Sequence, residues 1–165
     1  MIKQPGDHRR AALFQPTKSN HQKVRKINAH VPWPVPETVQ IGNPKNIEFD
    51  TYVDDDLELS IEVITPLLLI IDEITMNAVK HAFPDKTADN KITKSIKNLG
   101  NNTAELIIED NGVGIKDSDK MIENLGCEII KSLTKQLGGT IQLIKKEKGT
   151  AYKLTFPIQM EHTIE

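Results

Sequence analysis

Apolar and polar residues alternate in five short segments of this chain and repeat with a helical period in two longer segments. Alternation with a period of two indicates half-buried strands, here over residues 46–52, 91–97, 103–109, 140–145 and 151–156. Apolar residues spaced three and four positions apart predict helices over residues 66–81 and 122–137. The order β-α-β-β-α-β-β predicts an α/β (α+β) two-layer sandwich, with a mixed, mainly antiparallel sheet and both helices on one face.

Local signals set the expected ends of these elements. Pro66 suits the first turn of a helix, where its missing N–H needs no partner, and Pro84 marks the end of the same helix. The glycines of residues 138–139 favour the left-handed conformation that ends the second helix. Residues 98–102 and 146–149 are rich in turn-forming residues and are expected to join strands into hairpins.

Charge and proline content divide the chain near residue 45. Residues 1–44 hold six of the nine prolines, seven Lys or Arg residues and two acidic residues, a net charge of +5. Because it has no hydrophobic period, this segment is predicted to be a disordered, basic N-terminal extension; a proline-rich docking peptide is the alternative. Residues 45–160 are then expected to form one domain, since 165 residues are enough for a single core.

Composition argues against several classes of function. A net charge of −2 and 4% aromatic residues give no reason to expect a nucleic-acid partner. The longest apolar run, Pro66–Ile71, is far shorter than the roughly 18 residues that cross a bilayer, so no membrane contact is expected. Cys127 is the single cysteine and cannot form an internal disulfide, which predicts a reducing, cytoplasmic setting.

The first predicted helix carries a polar edge made of Glu73, Asn77, Lys80 and His81, whose spacing places them on one stripe. The side-chain oxygen of Asn77 suits Mg²⁺, a hard cation that shares its oxygen ligands with phosphates. Lys80 supplies a point charge for phosphate oxygens, and Glu73 could orient a water or accept a proton. The alternative is an ordinary amphipathic helix with a solvated polar face.

A second candidate motif, Asp110-Asn-Gly112-Val-Gly114, follows the apolar run of the third strand. The carboxylate of Asp110 would leave the sheet at a buried strand end, where it could accept a hydrogen bond from an exocyclic amine such as that of adenine. Gly112 and Gly114 would let the backbone pass close to the base. A plain Asp-Asn-Gly turn is the alternative interpretation.

Two further positions complete the candidate site. Gly126, beside Leu125, opens the second helix, whose free amides favour phosphate oxygens, although an ordinary capped helix has the same pattern. The hydroxyl of Thr150, which follows Gly149 at the start of the last strand, could reach a base through a water. The alternative is that Thr150 is a turn residue without a ligand.

Taken together, these motifs resemble the ATP-binding domain of bacterial and archaeal sensor histidine kinases, part of the GHKL superfamily with the Bergerat ATP-binding fold. The resemblance covers about residues 45–158 and is nearest to the HWE-like subgroup, whose helix ends in a K-H-A-F-P phrase. The matching motifs are Glu73…Asn77…Lys80-His81-Ala-Phe-Pro84, Asp110-x-Gly112-x-Gly114, Leu125-Gly126 and Gly149-Thr150-Ala-Tyr-Lys-Leu-Thr-Phe-Pro157.

The resemblance implies a role for each residue on the first helix and for the strand-end carboxylate. Asn77 would hold Mg²⁺, and Glu73 would assist phosphoryl transfer and could touch the ion through a water. Lys80 and His81 would contact phosphates, and Asp110 would bind the adenine amine.

The remaining matched residues would shape the nucleotide pocket. Its loops would be formed by Gly112, Gly114, Leu125 and Gly126, with Thr150 supporting the base and residues 116–123 acting as a short lid. The cofactors that the resemblance implies are ATP and Mg²⁺.

Some features depart from the family pattern. Cys127 stands where the family has Leu and is expected to pack as a small apolar residue, with redox sensing as the alternative; Asn124 replaces a Ser. Residues 1–44 are too short and too proline-rich for the two-helix hairpin that carries the phosphoacceptor histidine in this family. The phosphate is therefore expected to pass in trans to another histidine protein or to a response regulator, unless the sequence is a fragment.

The function predicted from the sequence is the ATP-binding catalytic domain of a sensor histidine kinase, an enzyme of two-component signalling. Two alternatives stay open. One is a stand-alone serine kinase of the anti-sigma-factor type, against which the K-H-A-F-P phrase argues. The other is a non-catalytic nucleotide-binding module that signals through its lid or its N-terminal segment.

Overall fold

The structure is a computed structural model that describes residues 45–84, 89–114 and 125–159. The helices and strands in these ranges follow the order predicted from the sequence: β1 (Glu48–Val53), α1 (Ile61–His81), β2 (Lys91–Gly100), β3 (Thr103–Asp110), α2 (Leu125–Gln136), β4 (Thr140–Lys145) and β5 (Thr150–Pro157). The predicted N-terminal extension, the lid over residues 116–123 and residues 122–124 of the predicted second helix lie outside the described residues.

The strands form one mixed sheet in the order β1-β2-β3-β5-β4. β1 is parallel to β2, and the pairs β2–β3, β3–β5 and β4–β5 are antiparallel. A parallel pair needs a long connection from one end of the sheet to the other, and α1 supplies it between β1 and β2. The predicted two-layer sandwich with a mainly antiparallel sheet is confirmed.

One face of the sheet packs against the helices and forms the hydrophobic core. Every second residue of β3 is buried, from Ala104 to Asp110, while the residues between them are half-buried. The neighbouring strands β2 and β5 add their own buried residues to this face, because directly opposed residues of paired strands point to the same side. The most deeply buried apolar side chains of α1 are Val63, Leu67, Ile70, Ile71 and Ile74. Burial of each such side chain contributes about 1.5–3 kcal/mol.

The first helix begins earlier than the sequence predicted. α1 starts at Ile61, so Pro66 lies in its second turn, and the prediction that Pro66 occupies the first turn is wrong. A proline at this position removes one backbone hydrogen bond from the helix. The burial of Val63 and Ile64 in the core, at 0% and 7% exposure, offsets that loss. Within the described ranges, no helix combines the length and hydropathy that a membrane span requires.

Two strand ends differ from the predicted ones by more than one residue. β1 begins at Glu48, after Asn46, whose left-handed φ of 51° does not fit a strand. β2 continues to Gly100, beyond the predicted end, because its last residues pair with the start of β3 across a register irregularity. Neither change moves the face of the sheet that the helices cover.

Candidate functional site

The candidate residues lie in two places: where β3 ends and β5 begins, and on the C-terminal half of α1, whose end contacts the turn after β3. Asp110 is the last residue of β3 and lies directly opposite Thr150, the first residue of β5. Glu73 and Asn77 lie one turn apart on α1. The fold thus brings Asp110 and Thr150 together, as a shared base-binding role requires.

Asp110 is a buried carboxylate, with only 8% of the residue exposed. Its Oδ1 accepts a hydrogen bond from the backbone N–H of Gly112 at 2.9 Å, and the backbone N–H of Thr150 also donates to this carboxylate. Burial raises the pKa of Asp110 above its usual range, while the two backbone donors and the charge of Lys146 oppose the rise. A carboxylate has about four acceptor positions, so Asp110 can accept a further hydrogen bond from a bound amine.

The turn after β3 needs glycine for two separate reasons. A Cβ on Gly112 would overlap the backbone carbonyl of Ala82 at the end of α1, and the N–H of Val113 donates to that carbonyl at 2.9 Å. Gly114 has a left-handed φ of 72°, which residues with a side chain rarely adopt. A Cβ on Gly149 would overlap the last carbonyl of β3. The turn is therefore packed between the end of α1 and the start of β5.

Glu73 and Asn77 form a hydrogen-bonded pair. The Nδ2 of Asn77 donates to Oε1 of Glu73 at 3.3 Å, and both residues are half-buried. The amide nitrogen of Asn77 is turned toward Glu73, so the amide oxygen is the atom that a cation could use. Mg²⁺ commonly takes one or two protein oxygens and completes its shell with water and phosphate oxygens, so this donor set fits a metal that arrives with a nucleotide. The part of the chain that the structure describes has no cluster of three or more His, Cys, Asp or Glu residues suited to a metal ion.

Lys80 and His81 occupy the last turn of α1, and both are exposed. Lys45, which the sequence motifs did not indicate, lies beside this turn. Its Nζ donates to the carbonyl oxygens of Val79 at 2.8 Å and of Lys80 at 3.1 Å. A cation stabilises the carboxyl end of a helix because the last carbonyls lack partners within the helix. Lys45 therefore fixes the helix end that carries the predicted phosphate ligands.

Asn111 is a second residue that the sequence motifs did not single out. Its side chain connects the turn after β3 to the start of β2, through hydrogen bonds with the backbone of Lys91 and Asp89. In a sequence, Asn followed by Gly indicates an ordinary turn. Only the strand pairing shows which backbone groups such a side chain can reach.

The first turn of α2 faces the same end of the sheet. Leu125 and Gly126 are its first two residues, and Cys127 follows, half-buried. Cys127 lies close enough to Glu73 to be affected by its charge, and Tyr152 of β5 is affected in turn by Cys127. Burial raises the pKa of the Cys127 thiol and that of Tyr152, the latter to about 12. A raised thiol pKa disfavours the reactive thiolate, which argues against redox sensing.

A groove of about 380 Å³ lies beside the turn after β3. The residues that line it are Ala82, Phe83, Pro84, Asp89, Asn90, Asn111, Gly112, Val113, Glu147 and Lys148. Gly112 is the candidate residue among them, while Asn77, Asp110 and Thr150 are not, so the groove borders the candidate site.

The sequence is similar to a known protein family and to known proteins. A profile of the family described as histidine kinase-, DNA gyrase B-, and HSP90-like ATPase matches residues 62–160. Blue-light-activated histidine kinase 2 of Erythrobacter litoralis is 27% identical over 112 residues, which are 67% of this chain and 32% of that protein. The chain therefore spans about a third of the length of this relative.

Solved histidine kinase structures share the fold. The histidine kinase domain of the Erythrobacter litoralis EL346 blue-light activated histidine kinase gives a TM-score of 0.64 at 23% identity, covering 74% of this chain and 56% of that one. The catalytic domain of histidine kinase ThkA gives 0.61 at 18% identity, covering 76% and 86%. Because the family profile covers more than half of the chain and the fold agrees with it, this protein belongs to the histidine kinase-, DNA gyrase B-, and HSP90-like ATPases, as its motifs predicted.

Proposed function

We propose that residues 45–160 form an ATP-binding catalytic domain that transfers the γ-phosphoryl group of ATP to a histidine of a signalling protein. The observation that carries this proposal is the buried Asp110 carboxylate at the end of β3, together with the Glu73–Asn77 pair on α1. It supplies an acceptor for a base, and the pair supplies an oxygen for a cation. Membership of the ATPase family and similarity to histidine kinases support the same conclusion.

Asp110 is proposed to bind the exocyclic amine of adenine. Its carboxylate has spare acceptor positions, and two backbone donors hold it in place. Thr150 is buried beside it and is proposed to support the base through a water. Gly112 and Gly114 are proposed to shape the turn beside the base, because Gly112 leaves room for the Ala82 carbonyl and Gly114 adopts a left-handed φ of 72°.

The phosphates are proposed to lie between the C-terminal half of α1 and the first turn of α2. Asn77 Oδ1 would hold Mg²⁺, while Lys80 and His81 would contact phosphate oxygens. Leu125 and Gly126 begin α2, where backbone N–H groups lack partners within the helix and favour anions. When bound, Mg²⁺ neutralises charge on the β- and γ-phosphates.

In the proposed transfer, a ring nitrogen of the acceptor histidine attacks the γ-phosphorus, and the bond to the bridging oxygen of ADP breaks. Glu73 is proposed to orient the attacking imidazole or to accept its proton. The hydrogen bond from Asn77 fixes the Glu73 carboxylate beside the metal-binding amide. Most of the acceleration would then come from placement and from neutralisation of charge.

His81 is the one histidine among the described residues, and it lies at the proposed phosphate-binding end of α1. We therefore propose that the acceptor histidine lies outside residues 45–159 or on another chain. A response regulator is the proposed recipient of the phosphoryl group from that histidine. The proposed setting is two-component signalling in the cytoplasm, where ATP is available.

The metal role is tested with Asn77→Ala. Loss of the amide oxygen removes the proposed ligand, so we expect binding of Mg-ATP to weaken by about 100-fold, the upper range for an interaction with a charged group. Calorimetry with Mg²⁺ and with a chelator gives the metal-dependent part of the affinity. Asn77→Asp, which keeps an oxygen at this position, should retain metal-dependent binding. Tight Mg-ATP binding by Asn77→Ala would refute the metal role.

The product of the reaction separates the proposed function from its alternatives. Incubation with γ-labelled ATP, Mg²⁺ and a separate acceptor hairpin should give a label that acid removes and alkali retains, as expected for phosphohistidine. An acid-stable label would indicate the serine kinase alternative. Bound ATP that stays intact with every acceptor would indicate a non-catalytic module.

A further inference from the structure

Asn111 lies where the chain leaves the sheet, between Asp110 and Gly112. Asp110 and Ile92 are the last residues in register between β3 and β2 at this end. Just beyond them, the backbone N–H of Asn111 donates to the carbonyl oxygen of Lys91 at 3.2 Å. The following residues turn away from β2, so the backbone of the turn no longer pairs with that strand.

The side chain of Asn111 continues the pairing after the backbone has left. Its Oδ1 accepts a hydrogen bond from the N–H of Lys91 at 2.8 Å, and its Nδ2 donates to the carbonyl oxygen of Asp89 at 2.5 Å. The amide thereby offers one acceptor and one donor, as a peptide group of a neighbouring strand would. An aspartate lacks the donor, and a serine hydroxyl is too short to reach both partners.

A contact with α1 also holds this turn. The N–H of Val113 donates to the carbonyl oxygen of Ala82, so one side of the turn is held by the helix. Asn111 holds the other side against the start of β2. The ends of strands open more readily than their centres, so a bridge beyond the last pair keeps that pair closed.

We propose that Asn111 is a positioning residue that sets the place of the Asp110 carboxylate for the adenine amine. This inference rests on the proposed function, because it needs Asp110 to be a base ligand. Asn111 itself does not touch the nucleotide in this proposal. Hydrogen bonds weaken steeply with distance and angle, so a small shift of the strand end is enough to weaken the contact with the amine.

The chain offers a matched control at the opposite end of β3. There the Nδ2 of Asn102 donates to the carbonyl oxygen of Gln159 at 3.2 Å, and its Oδ1 accepts from the N–H of Gln159 at 3.1 Å. Asn102 thus forms the same two-bond bridge, away from the candidate site. Asn111→Asp and Asn102→Asp remove the same donor by the same isosteric change. Asn111→Ala removes the bridge without adding a charge.

The measurement is a pair of dissociation constants for each protein, one for ATP and one for the triphosphate of purine riboside, which lacks the exocyclic amine. In both Asn111 variants we expect the affinity for ATP to fall about tenfold, the value of one good hydrogen bond, while that for the analogue changes by less than about twofold. In Asn102→Asp both constants and their ratio should match the wild type. A residue that only stabilises the fold would change both constants alike.

Other outcomes separate this proposal from the proposed function. If the wild type prefers ATP and both Asn111 variants keep that preference, the positioning role of Asn111 is wrong and the proposed function stands. If the wild type binds no ATP, the proposed function itself is wrong. A wild type that binds both ligands equally would refute the amine contact that Asn111 is proposed to position. Loss of cooperative thermal unfolding in both Asn111 variants would also overturn the inference, because Asn111 would then be required for folding.

Discussion

Asp110 and Lys94 are the two charged residues that are at most 8% exposed in the described ranges, and both lie on the helix-facing side of the sheet. Asp110 lies at the end of β3, where the backbone N–H groups of Gly112 and Thr150 donate to its carboxylate. Lys94 lies in the middle of β2, with its Nζ 5.7 Å from the centroid of the Phe49 ring. Two buried charges therefore have different surroundings on one surface.

Burial acts on both groups in favour of the neutral form, raising the pKa of Asp110 and lowering that of Lys94. The groups that oppose burial differ. At Asp110 they are led by backbone N–H groups of the site itself, whereas at Lys94 the opposing charge is that of Asp72 on α1. We infer that the cost of burying Asp110 is repaid by a ligand, while Lys94 occupies a core position that an apolar side chain could fill.

Of the changes to the two buried charges, Asp110→Asn is expected to have the largest effect. The amide could still accept a hydrogen bond from Gly112, but its NH₂ group would face the adenine amine, donor against donor. We expect affinity for ATP to fall about 30- to 100-fold, as for loss of a hydrogen bond to a charged group. Inosine triphosphate, which presents a carbonyl oxygen in place of the amine, should then bind more tightly than ATP. Dissociation constants for the two nucleotides check both statements.

Lys94→Met provides the control for Asp110→Asn, because it removes the other buried charge and should leave both dissociation constants unchanged. If Asp110→Asn binds ATP as tightly as the wild type does, the buried carboxylate is not the base ligand. The proposed difference between Asp110 and Lys94 would then be wrong, because no ligand would offset the cost of burying either charge.

The strands could be predicted from the sequence because alternation is a local signal, as in β3 from Thr103 to Asp110. The start of α1 could not, because Pro66 is a local signal for a helix start and the burial of Val63 and Ile64 overrides it. Lys94 presents the same conflict. Its place in the alternation predicts burial and its charge predicts exposure, and the position in the strand decides the outcome.

The candidate ligands could be proposed from the sequence because their motifs are contiguous, as with Asp110 and Gly112, or lie on one helix face, as with Asn77. The residues that hold them could not be predicted. Lys45 contacts backbone 34 and 35 residues away, and the Asn111 side chain contacts backbone 20 and 22 residues away. Such contacts depend on the register of β2 against β3 and on where α1 ends, and neither has a local signature in the sequence.

A smaller effect is expected from Lys94→Met, which should increase the stability of the protein. Methionine keeps much of the length of the lysine side chain and carries no charge, so the cost of burying an ammonium disappears. We expect the free energy of unfolding to rise by about 1–2 kcal/mol, the lower part of the range for replacing buried ionic groups. Urea unfolding measures this change. A decrease would mean that the interactions of Lys94 with Phe49 and Asp72 outweigh its burial.

A smaller effect still is the pH dependence of the stability gained by Lys94→Met. The pKa of Lys94 in the folded protein lies below the ordinary value of 10.5 that it has in the unfolded chain. Between these two values the unfolded chain binds more protons, so wild-type stability rises with pH. The gain from Lys94→Met should therefore shrink as the pH rises from neutral toward 10.5. A constant gain would show that folding does not change the proton affinity of Lys94.

Asp110 should act at the other end of the pH scale and with the opposite slope. Its pKa in the folded protein lies above the ordinary 3.8, so just above pH 3.8 the folded state binds more protons than the unfolded chain. Wild-type stability relative to Asp110→Asn should then rise as the pH falls through this window. Urea unfolding of both proteins across the acidic range gives the slope. Ionised Asp110 is the form that would accept a hydrogen bond from an amine, so the preference for ATP over purine riboside triphosphate should decline in the same window. A preference that stays constant there would show that the Asp110 charge does not take part in base recognition.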